Sequence, residues 1–512
     1  MEQFIKNITE INNTVNSFAW GWFGLILLLG TGLICTAITR CFQITHFSHW
    51  WGKTIGSVLK KDTHKKQDKG SVSQFQALCT ALAATIGTGN IAGVSAAICI
   101  GGPGAVFWMW IAAFLGMMTN FSENVLGIYY RKKNPDGEWS GGAMYYLRDG
   151  LGSYEGCAGL GKVLAVIFSV FAILASFGIG NMGQINKITL NIESAFFSSL
   201  VVPEFLGVSI VNWLIGIALM IVGGFIIIGG LQRIAAFAEK VVPFMACVYV
   251  VGALIIVLVN IRNLGPMLLS IFKFAFGPKA VAGGAAGSAI ALWLNTMKNG
   301  CKRGVFSNEA GLGSSVMVHS NSNVKEPVKQ GLWGIFEVFA DTIVVCTMTA
   351  IVVLSSGAID LNTGLVVEGT DDATLVARTF GMVFGKPGEW FVAVAVLLFA
   401  FTTVMGWSHY GSKAVEYLFG MKGAKIYRFV FVFMMISGAV MTSSLAWDIS
   451  DTFNGLMMIP NLIGVLALTP VVVKITNNYV ARKIKGEDIE PILSNDPDIQ
   501  REHARLVANG EE

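Results

Sequence analysis

The stretch ATIGTGNIAG, residues 84–93, places hydroxyl, amide and glycine residues in the middle of an apolar run from Ala77 to Ile100. Two glycines two positions apart each weaken a helix by roughly 1 kcal/mol relative to alanine, and lipid raises the cost of freed backbone groups. The pattern predicts that a membrane helix unwinds at residues 85–90. Backbone carbonyls freed there suit a hard cation such as sodium, and amides at the start of the following half-helix suit a carboxylate.

Close packing between helices through small residues is the competing interpretation of these glycines. Asn90 favours a functional break, because a buried amide in lipid needs polar partners. Its side-chain oxygen could face a ligand, or the amide could make a structural hydrogen bond between helices, and the sequence leaves both alternatives open.

The elements around this stretch are those of a polytopic membrane protein. The chain has 512 residues, of which 54% are hydrophobic and 13% charged, against about 25% charged in average soluble domains. The eight cysteines form no CxxC pair and the six histidines show no ligand spacing, so we expect neither a metal cluster nor a disulfide framework. No phosphate loop or nucleophile motif indicates an enzyme. The net charge of +4 gives no indication of a nucleic-acid partner, and we expect membrane lipid instead.

Apolar runs of about 20 residues, the length that crosses a bilayer, define eleven candidate spans. They lie near 18–39, 75–100, 105–130, 161–191, 207–230, 238–260, 280–318, 331–357, 389–418, 427–446 and 452–475. The first is predicted to be retained, because the preceding residues lack the basic region of a signal peptide.

The distribution of lysine and arginine predicts the orientation. With the N-terminus outside, the inner loops hold 18 basic residues and the outer segments 6. The loop KKDTHKKQDKG, residues 60–70, contributes most to this difference. We therefore expect an outer N-terminus and a cytoplasmic C-terminus. The charged tail after Lys474 is predicted to be a solvated extension.

A short repeat divides the chain. GNIAG (89–93) and SNEAG (307–311) share the pattern N-x-A-G, and each lies near the start of a set of five spans. Two such sets have opposite orientations, which is the layout of the inverted repeats in secondary transporters, where broken helices flank the substrate site. The predicted organisation is an extra N-terminal helix and basic loop, a first repeat, a second repeat and a cytoplasmic tail, at residues 1–73, 74–260, 261–478 and 479–512.

Long motifs throughout the chain resemble the alanine/glycine:cation symporter family, the sodium:alanine symporters. They are FQALCTALAATIGTGNIAGVSAAICIGGPGAVFWMW (75–110), WSGGAMYYL (139–147), RGVFSNEAGLGSS (303–315), DTIVVCTMTA (341–350) and GWSHYGSKAVEYLFG (406–420). The resemblance implies an all-α, leucine-transporter-type fold of two inverted five-helix repeats plus one extra N-terminal helix. It also implies sodium-driven uptake of small neutral amino acids, chiefly alanine and glycine, across the plasma membrane (the bacterial inner membrane).

The resemblance assigns the substrate carboxylate to the amides of Gly87, Thr88 and Gly89, where glycine allows a ligand to approach the backbone closely. The hydroxyls of Thr85 and Thr88 are expected to add polar contacts.

The resemblance also implies a sodium site. Thr402 and Thr403 are the expected hydroxyl ligands, and the backbone carbonyls near Ala83 and Ile86 are expected to complete the site. The alternative is that both hydroxyls bond to carbonyls of their own helix, which is common in membrane helices.

Three further residues are candidates for the pocket. Trp407 lies one turn beyond Thr403 and is expected to cap the pocket, although tryptophans near helix ends are often interface anchors. Gly180 and Gln184 are one turn apart, and Gln184 could hydrogen-bond a substrate or join two helices.

A second break is predicted at residues 305–308. There Phe306 corresponds to Thr88 in the repeat and, with Ser307, is expected to wall the pocket. Lys302 and Arg303 precede it, and charges at that depth need water or a partner. They are expected to line an aqueous vestibule or to pair with one of three acids, Glu123, Glu309 or Asp341.

The predicted activity is secondary active transport by alternating access, with sodium as the co-transported ion and no enzymatic step. One alternative is a proton-coupled amino-acid carrier of the same fold, which would use an intramembrane acid. A passive channel is a weaker alternative, since broken helices also line ion filters.

Overall fold

The computed structural model describes residues 2–58, 70–197, 202–277, 286–367, 375–441 and 445–508, so most of the basic loop 60–70 lies outside the described residues. Nearly all regular structure in the described part is helical. Seven of its helices are long and apolar enough to cross a membrane, or nine if each of two bent pairs is one span. The all-α, multi-pass architecture is therefore confirmed, while the count of eleven spans stays a prediction.

The α-helices extend over Glu2–Ala19, Trp22–Ile38, Phe42–Thr45, Phe47–Lys53, Gln74–Thr85, Val94–Gly101, Ala105–Tyr129, Ala143–Tyr145, Ala158–Phe177, Gly183–Ile192, Ile210–Ile227, Leu231–Val259, Leu264–Phe276, Ala286–Asn308, Val316–His319, Pro327–Val338, Thr347–Ser355, Leu375–Phe384, Lys386–Ala439, Leu445–Ala467, Thr469–Lys483 and Pro497–Ala508. Wider π-helical turns occupy Gly89–Gly93, Tyr146–Gly150, Gly178–Met182, Glu193–Phe197 and Phe339–Cys346, and 3₁₀ turns occupy Ile55–Ser57, Leu151–Ser153 and Ile261–Asn263. Two short antiparallel strand pairs join Lys132–Lys133 to Trp139–Ser140 and Glu204–Phe205 to Val208–Ser209.

The first predicted break is confirmed. The helix Gln74–Thr85 begins at a capping box, in which Ser73 and Gln76 exchange side-chain and backbone hydrogen bonds. It ends where Ile86 turns to an extended conformation, with ψ of 90°. The chain resumes helical structure at Gly89, and the two halves differ in direction by 53°.

The predicted position of the second break is wrong. The helix continues through residues 305–308, and the Glu309 amide still donates to the Val305 carbonyl at 2.8 Å. The chain leaves the helix afterwards, through left-handed backbone at Glu309, Gly311 and Gly313. The physical reason is local: the Asn308 side chain accepts from the amide of Ala310 at 3.0 Å and stabilises a turn after the motif's asparagine.

The predicted spans 389–418 and 427–446 correspond to two helices within Lys386–Ala439, which are separated by non-helical backbone at Gly420, with φ of 70° and ψ of −174°. The second of them ends at Ala439, earlier than predicted. Other boundaries differ more from expectation. The helices Leu264–Phe276 and Leu375–Phe384 lie in segments predicted to be outer loops. Each is shorter than a membrane span, so neither contains the run of about 20 apolar residues that predicts a span.

The tail is not the solvated extension that its charge predicted. Leu493 is fully buried, and the Asn495 amide donates to the Tyr129 carbonyl at 2.9 Å. The helix Pro497–Ala508 follows, with His503 buried beside the ring of Trp139. A few apolar positions are therefore enough to hold a charged segment against the protein.

Candidate functional site

A small cavity lies between the two breaks and two other helical segments, Ile179–Gln184 and Thr403–Trp407. The residues that line it are Ala84, Thr85, Gly87, Thr88, Gly89, Ile179, Gln184, Phe306, Glu309, Thr403, Trp407 and Asn454. Its volume of about 20 Å³ is enough for about one water molecule. The structure therefore brings together most of the predicted pocket residues, in a closed arrangement.

A larger cavity elsewhere has a different character. It has a volume of about 460 Å³ and is lined mainly by apolar side chains between Cys247 and Phe391. Its wall includes Val248, Val251 and Ile255, which are exposed on the flank of the apolar helix Leu231–Val259. Such a lining offers little to a zwitterion, whereas the small cavity is bordered by both breaks.

The hydrogen bonds of the first break release two carbonyls. The Gly87 amide donates to the Asn90 side-chain oxygen at 2.8 Å, and the Asn90 amide donates to the Gly87 carbonyl at 3.3 Å. In a continuous α-helix these two amides would donate to the carbonyls of Ala83 and Ile86. Both carbonyls thus lose their helical donors, while Thr88 and Gly89 begin the next half-helix, where first-turn amides have no intrahelical acceptor.

Asn90 makes the structural hydrogen bond that was one of its two alternatives. Its side-chain nitrogen donates to Asp341 Oδ1 at 2.6 Å. The residue is fully buried and is not part of the cavity wall. Its oxygen is used by Gly87, so Asn90 fixes the shape of the break.

The two threonines of the predicted sodium site differ in their surroundings. Both hydroxyls donate to carbonyls of their own helix, Thr402 to Leu398 at 3.0 Å and Thr403 to Phe399 at 2.9 Å. Thr403 borders the break, because a Cβ added at Gly87 would lie 2.4 Å from Thr403 Oγ1. Thr402 points instead towards the sulfur of Met245, at 3.6 Å. A donating hydroxyl keeps lone pairs for a cation, so the bond to Phe399 is compatible with coordination by Thr403.

Trp407 forms a wall of the cavity and is only 3% exposed, so it is not an interface anchor. Gly180 is outside the cavity wall, but it makes room for the indole: a Cβ there would lie 2.4 Å from Trp407 Cβ. Gln184 accepts from the Thr88 hydroxyl at 3.0 Å and donates to the Ile179 carbonyl at 3.1 Å. It therefore joins the broken helix to its neighbour at the edge of the cavity.

The second break contributes side chains to the cavity. Phe306 lines it as predicted, whereas the Ser307 hydroxyl lies 3.2 Å from Cys346 Sγ, outside the wall. Glu309 lines the cavity and accepts from the Ser314 hydroxyl at 2.6 Å. The sequence led us to expect Glu309 as a partner for Lys302 or Arg303, with a coupling role as the alternative, and did not place it in the pocket wall. Asn454, also in the wall, gave no signal in the sequence.

The three acids expected to pair with Lys302 do not do so. Its amine lies 2.9 Å from a carboxylate oxygen of Asp451 and 5.4 Å from the centre of the Trp20 ring. The Arg303 guanidinium lies over the Phe306 ring at 5.8 Å. Lys302 and Asp451 are 149 positions apart in the sequence. Neither their charges nor local spacing predicts that they pair.

Comparison with known proteins agrees with the geometry. The model of the sodium:alanine symporter family matches residues 5–492. The sodium/alanine symporter AgcS of Methanococcus maripaludis is 43% identical over 476 residues, which cover 92% of this chain and 97% of that protein. An uncharacterized transporter of Haemophilus influenzae is 40% identical over 489 residues, which cover 95% of this chain and 99% of that protein.

A solved structure supports the fold. The crystal structure of MhsT in complex with L-phenylalanine aligns with a TM-score of 0.51 at 14% identity, over 80% of this chain and 99% of MhsT. This likeness identifies a leucine-transporter-type fold. Because the family match extends over nearly the whole length and includes both breaks, the chain belongs to the sodium:alanine symporter family, whose members are multi-pass membrane transporters.

Proposed function

We propose that this protein is a sodium-coupled symporter that imports small neutral amino acids, chiefly alanine and glycine. The observation that carries the proposal is the first break, where the carbonyls of Ala83 and Ile86 have lost their helical donors and Gly87 lies against the Thr403 hydroxyl. Hard oxygen ligands of this kind suit sodium. The sodium/alanine symporter AgcS, a relative of this chain, supports the same ion and substrate class.

The substrate's carboxylate binds at the amides of Thr88 and Gly89, at the positive end of the half-helix. The Gly87 amide is already bonded to Asn90, so Gly87 contributes chiefly through its missing side chain. Thr85, Gln184, Phe306 and Trp407 surround the substrate's small side chain.

Sodium binds to the carbonyls of Ala83 and Ile86 and to the hydroxyl of Thr403, with Thr402 behind it. The ion then fixes the broken helix against the helix Lys386–Ala439. The two helices already touch, since a Cβ at Gly406 would lie 2.6 Å from Ala84 Cβ. Coupling follows because sodium favours the conformation that binds the amino acid.

The two inverted repeats, residues 74–260 and 261–478, move relative to each other and expose the site alternately to the two sides of the plasma membrane, the bacterial inner membrane. The extra helix and basic loop (1–73) precede them, and the tail (479–512) lies on the cytoplasmic side. The N-terminus is outside, in agreement with the excess of basic residues in the inner loops.

Uptake of radiolabelled alanine into proteoliposomes tests the proposal. A sodium gradient should drive accumulation, and replacement of sodium by choline should abolish it. Thr403→Ala should raise the sodium concentration for half-maximal uptake at least tenfold, because it removes one ligand. Ser408→Ala is the matched control, since that hydroxyl also donates to its own helix, to Met405 at 2.6 Å, outside the cavity wall. Unchanged sodium activation in Thr403→Ala would refute the ion site.

One observation favours proton coupling as a second candidate. Glu309 places a carboxyl group in the cavity wall, and an acid there could carry a proton through the cycle. Uptake driven by a pH gradient without sodium, and insensitive to added sodium, would establish this alternative in place of the symport of sodium.

A further inference from the structure

The asparagines of the two N-x-A-G motifs perform the same task at their own breaks. Asn90 Oδ1 accepts from the Gly87 amide at 2.8 Å, and Asn308 Oδ1 accepts from the Ala310 amide at 3.0 Å. Both residues are fully buried. Each asparagine therefore fixes the backbone where its helix is interrupted.

The side-chain nitrogens of these asparagines converge on one place in a third helix. Asn90 donates to Asp341 Oδ1 at 2.6 Å, and Asn308 donates to Thr342 Oγ1 at 3.0 Å. The Thr342 hydroxyl in turn donates to Asp341 Oδ2 at 2.8 Å. A continuous chain of hydrogen bonds thus joins the first break to the second.

The two residues in the middle of this chain of hydrogen bonds do not line the cavity. Asp341 and Thr342 are fully buried and absent from its wall. They lie on the π-helical segment Phe339–Cys346, which packs against the π-helical turn Gly89–Gly93 of the first break. Wide turns of this kind are common at functional sites.

These hydrogen bonds form a stiff connection between the two breaks. Buried hydrogen bonds in a series reinforce one another. Both oxygens of Asp341 are used, one for each break. A displacement of either asparagine must therefore move Asp341 or break a bond.

We propose that Asp341 and Thr342 are positioning residues that couple the two breaks, so that sodium bound at the first break is sensed by the substrate contacts of the second. This inference rests on the proposed symport of sodium and an amino acid. Its thermodynamic signature is the linkage factor, the ratio of the alanine dissociation constants without and with saturating sodium.

Thr342→Val tests the link, because valine keeps the shape of threonine and removes the hydroxyl that joins Asn308 to Asp341. Binding of radiolabelled L-alanine to the purified full-length protein is measured in sodium and in choline. The linkage factor should fall at least fivefold. Thr342→Ser, which restores the hydroxyl, should recover a factor within twofold of that of the unmodified protein.

Thr349→Val is the matched control on the same helical stretch. It removes a buried hydroxyl that lies 2.6 Å from Tyr249 Oη, away from the asparagine chain. It should lower the thermal midpoint by a similar amount and leave the linkage factor unchanged. A general loss of packing would instead affect both valine variants alike.

The outcomes separate this inference from the proposed function. If alanine binding to the unmodified protein does not depend on sodium, the proposed symport fails. If the unmodified protein shows linkage and Thr342→Val retains it, or if Thr349→Val loses it equally, the coupling role of Asp341 and Thr342 is overturned while the symport stands.

Discussion

The two breaks share the motif N-x-A-G but are built in opposite ways. At the first, the chain unwinds before Asn90, and the freed groups belong to the backbone. At the second, the chain unwinds after Asn308, through left-handed turns at Glu309 and two glycines. Side chains from other helices fill that turn: Glu123 accepts from the Gly311 amide at 3.4 Å, and Asn461 donates to the Gly311 carbonyl at 2.9 Å.

This difference separates two roles that a broken helix can have. The first break leaves carbonyls and amides without helical partners, and a Cβ at its Gly87 would collide with Thr403. At the second break, side chains of other helices satisfy much of the backbone, and Phe306 and Glu309 line the cavity. Substitutions at the first break should therefore change ligand binding, and substitutions around the second should change stability.

Gly87→Ala should produce the largest effect. The added Cβ would lie 2.4 Å from Thr403 Oγ1, a distance that forces the threonine from its position. We expect sodium-driven alanine uptake to fall by roughly a hundredfold, or about 2.7 kcal/mol, with the protein still folded.

Gly93→Ala is the control for that loss, since nothing lies within 4 Å of a Cβ at this position. It should keep uptake within about twofold of the unmodified protein. Equal losses of uptake in the two variants would show that the change in helix propensity, and not the collision with Thr403, causes the loss.

Asn461→Ala should have the next largest effect, on folding. Asn461 bonds Glu123, Gly311 and the Tyr146 hydroxyl, and its loss leaves three buried polar groups short of a partner. We expect the free energy of unfolding to fall by about 2–4 kcal/mol, measured as a drop in the thermal midpoint in detergent. Asn299→Ala, which removes an amide bonded within its own exposed turn, should lower it much less. An Asn461→Ala protein of normal stability that has lost alanine affinity would contradict the contrast between the breaks.

The smallest predicted effect is a pH-dependent weakening of the docking of the tail, whose helix Pro497–Ala508 lies near residues that follow the second break. Burial, followed by the charges of Arg131, Lys325 and Lys133, lowers the pKa of His503 to about 3. An undocked histidine titrates near 6.5, so docking is strongest above that pH and weakens as the pH falls towards 3.

At pH 5.5, hydrogen-exchange protection of residues 497–508, corrected for intrinsic rates, should be about tenfold lower than at pH 7.5. The variant His503→Gln should remove that pH dependence. A constant protection in the unmodified protein would show that His503 does not control docking.

The sequence predicted the first break well because glycines and a buried amide act locally. The position predicted for the second break was too early, because the N-x-A-G motif can either precede or follow an interruption of the helix. Here the turn that Asn308 stabilises with the Ala310 amide places the interruption after the asparagine. Lys302 was paired with the wrong acids because its partner Asp451 belongs to a distant helix. Local pattern identified the residues that line the cavity at Gly87, Phe306 and Trp407, but long-range packing decides which buried polar groups face each other.

The cavity between the breaks has room for about one water molecule. An amino acid is larger than this space, so in the proposed symport the cavity must enlarge and admit solvent before it closes around the substrate. The proposed cycle is therefore linked to water activity as well as to sodium. Osmolytes that stay outside the protein oppose any step that takes up water, so they should slow the proposed transport cycle.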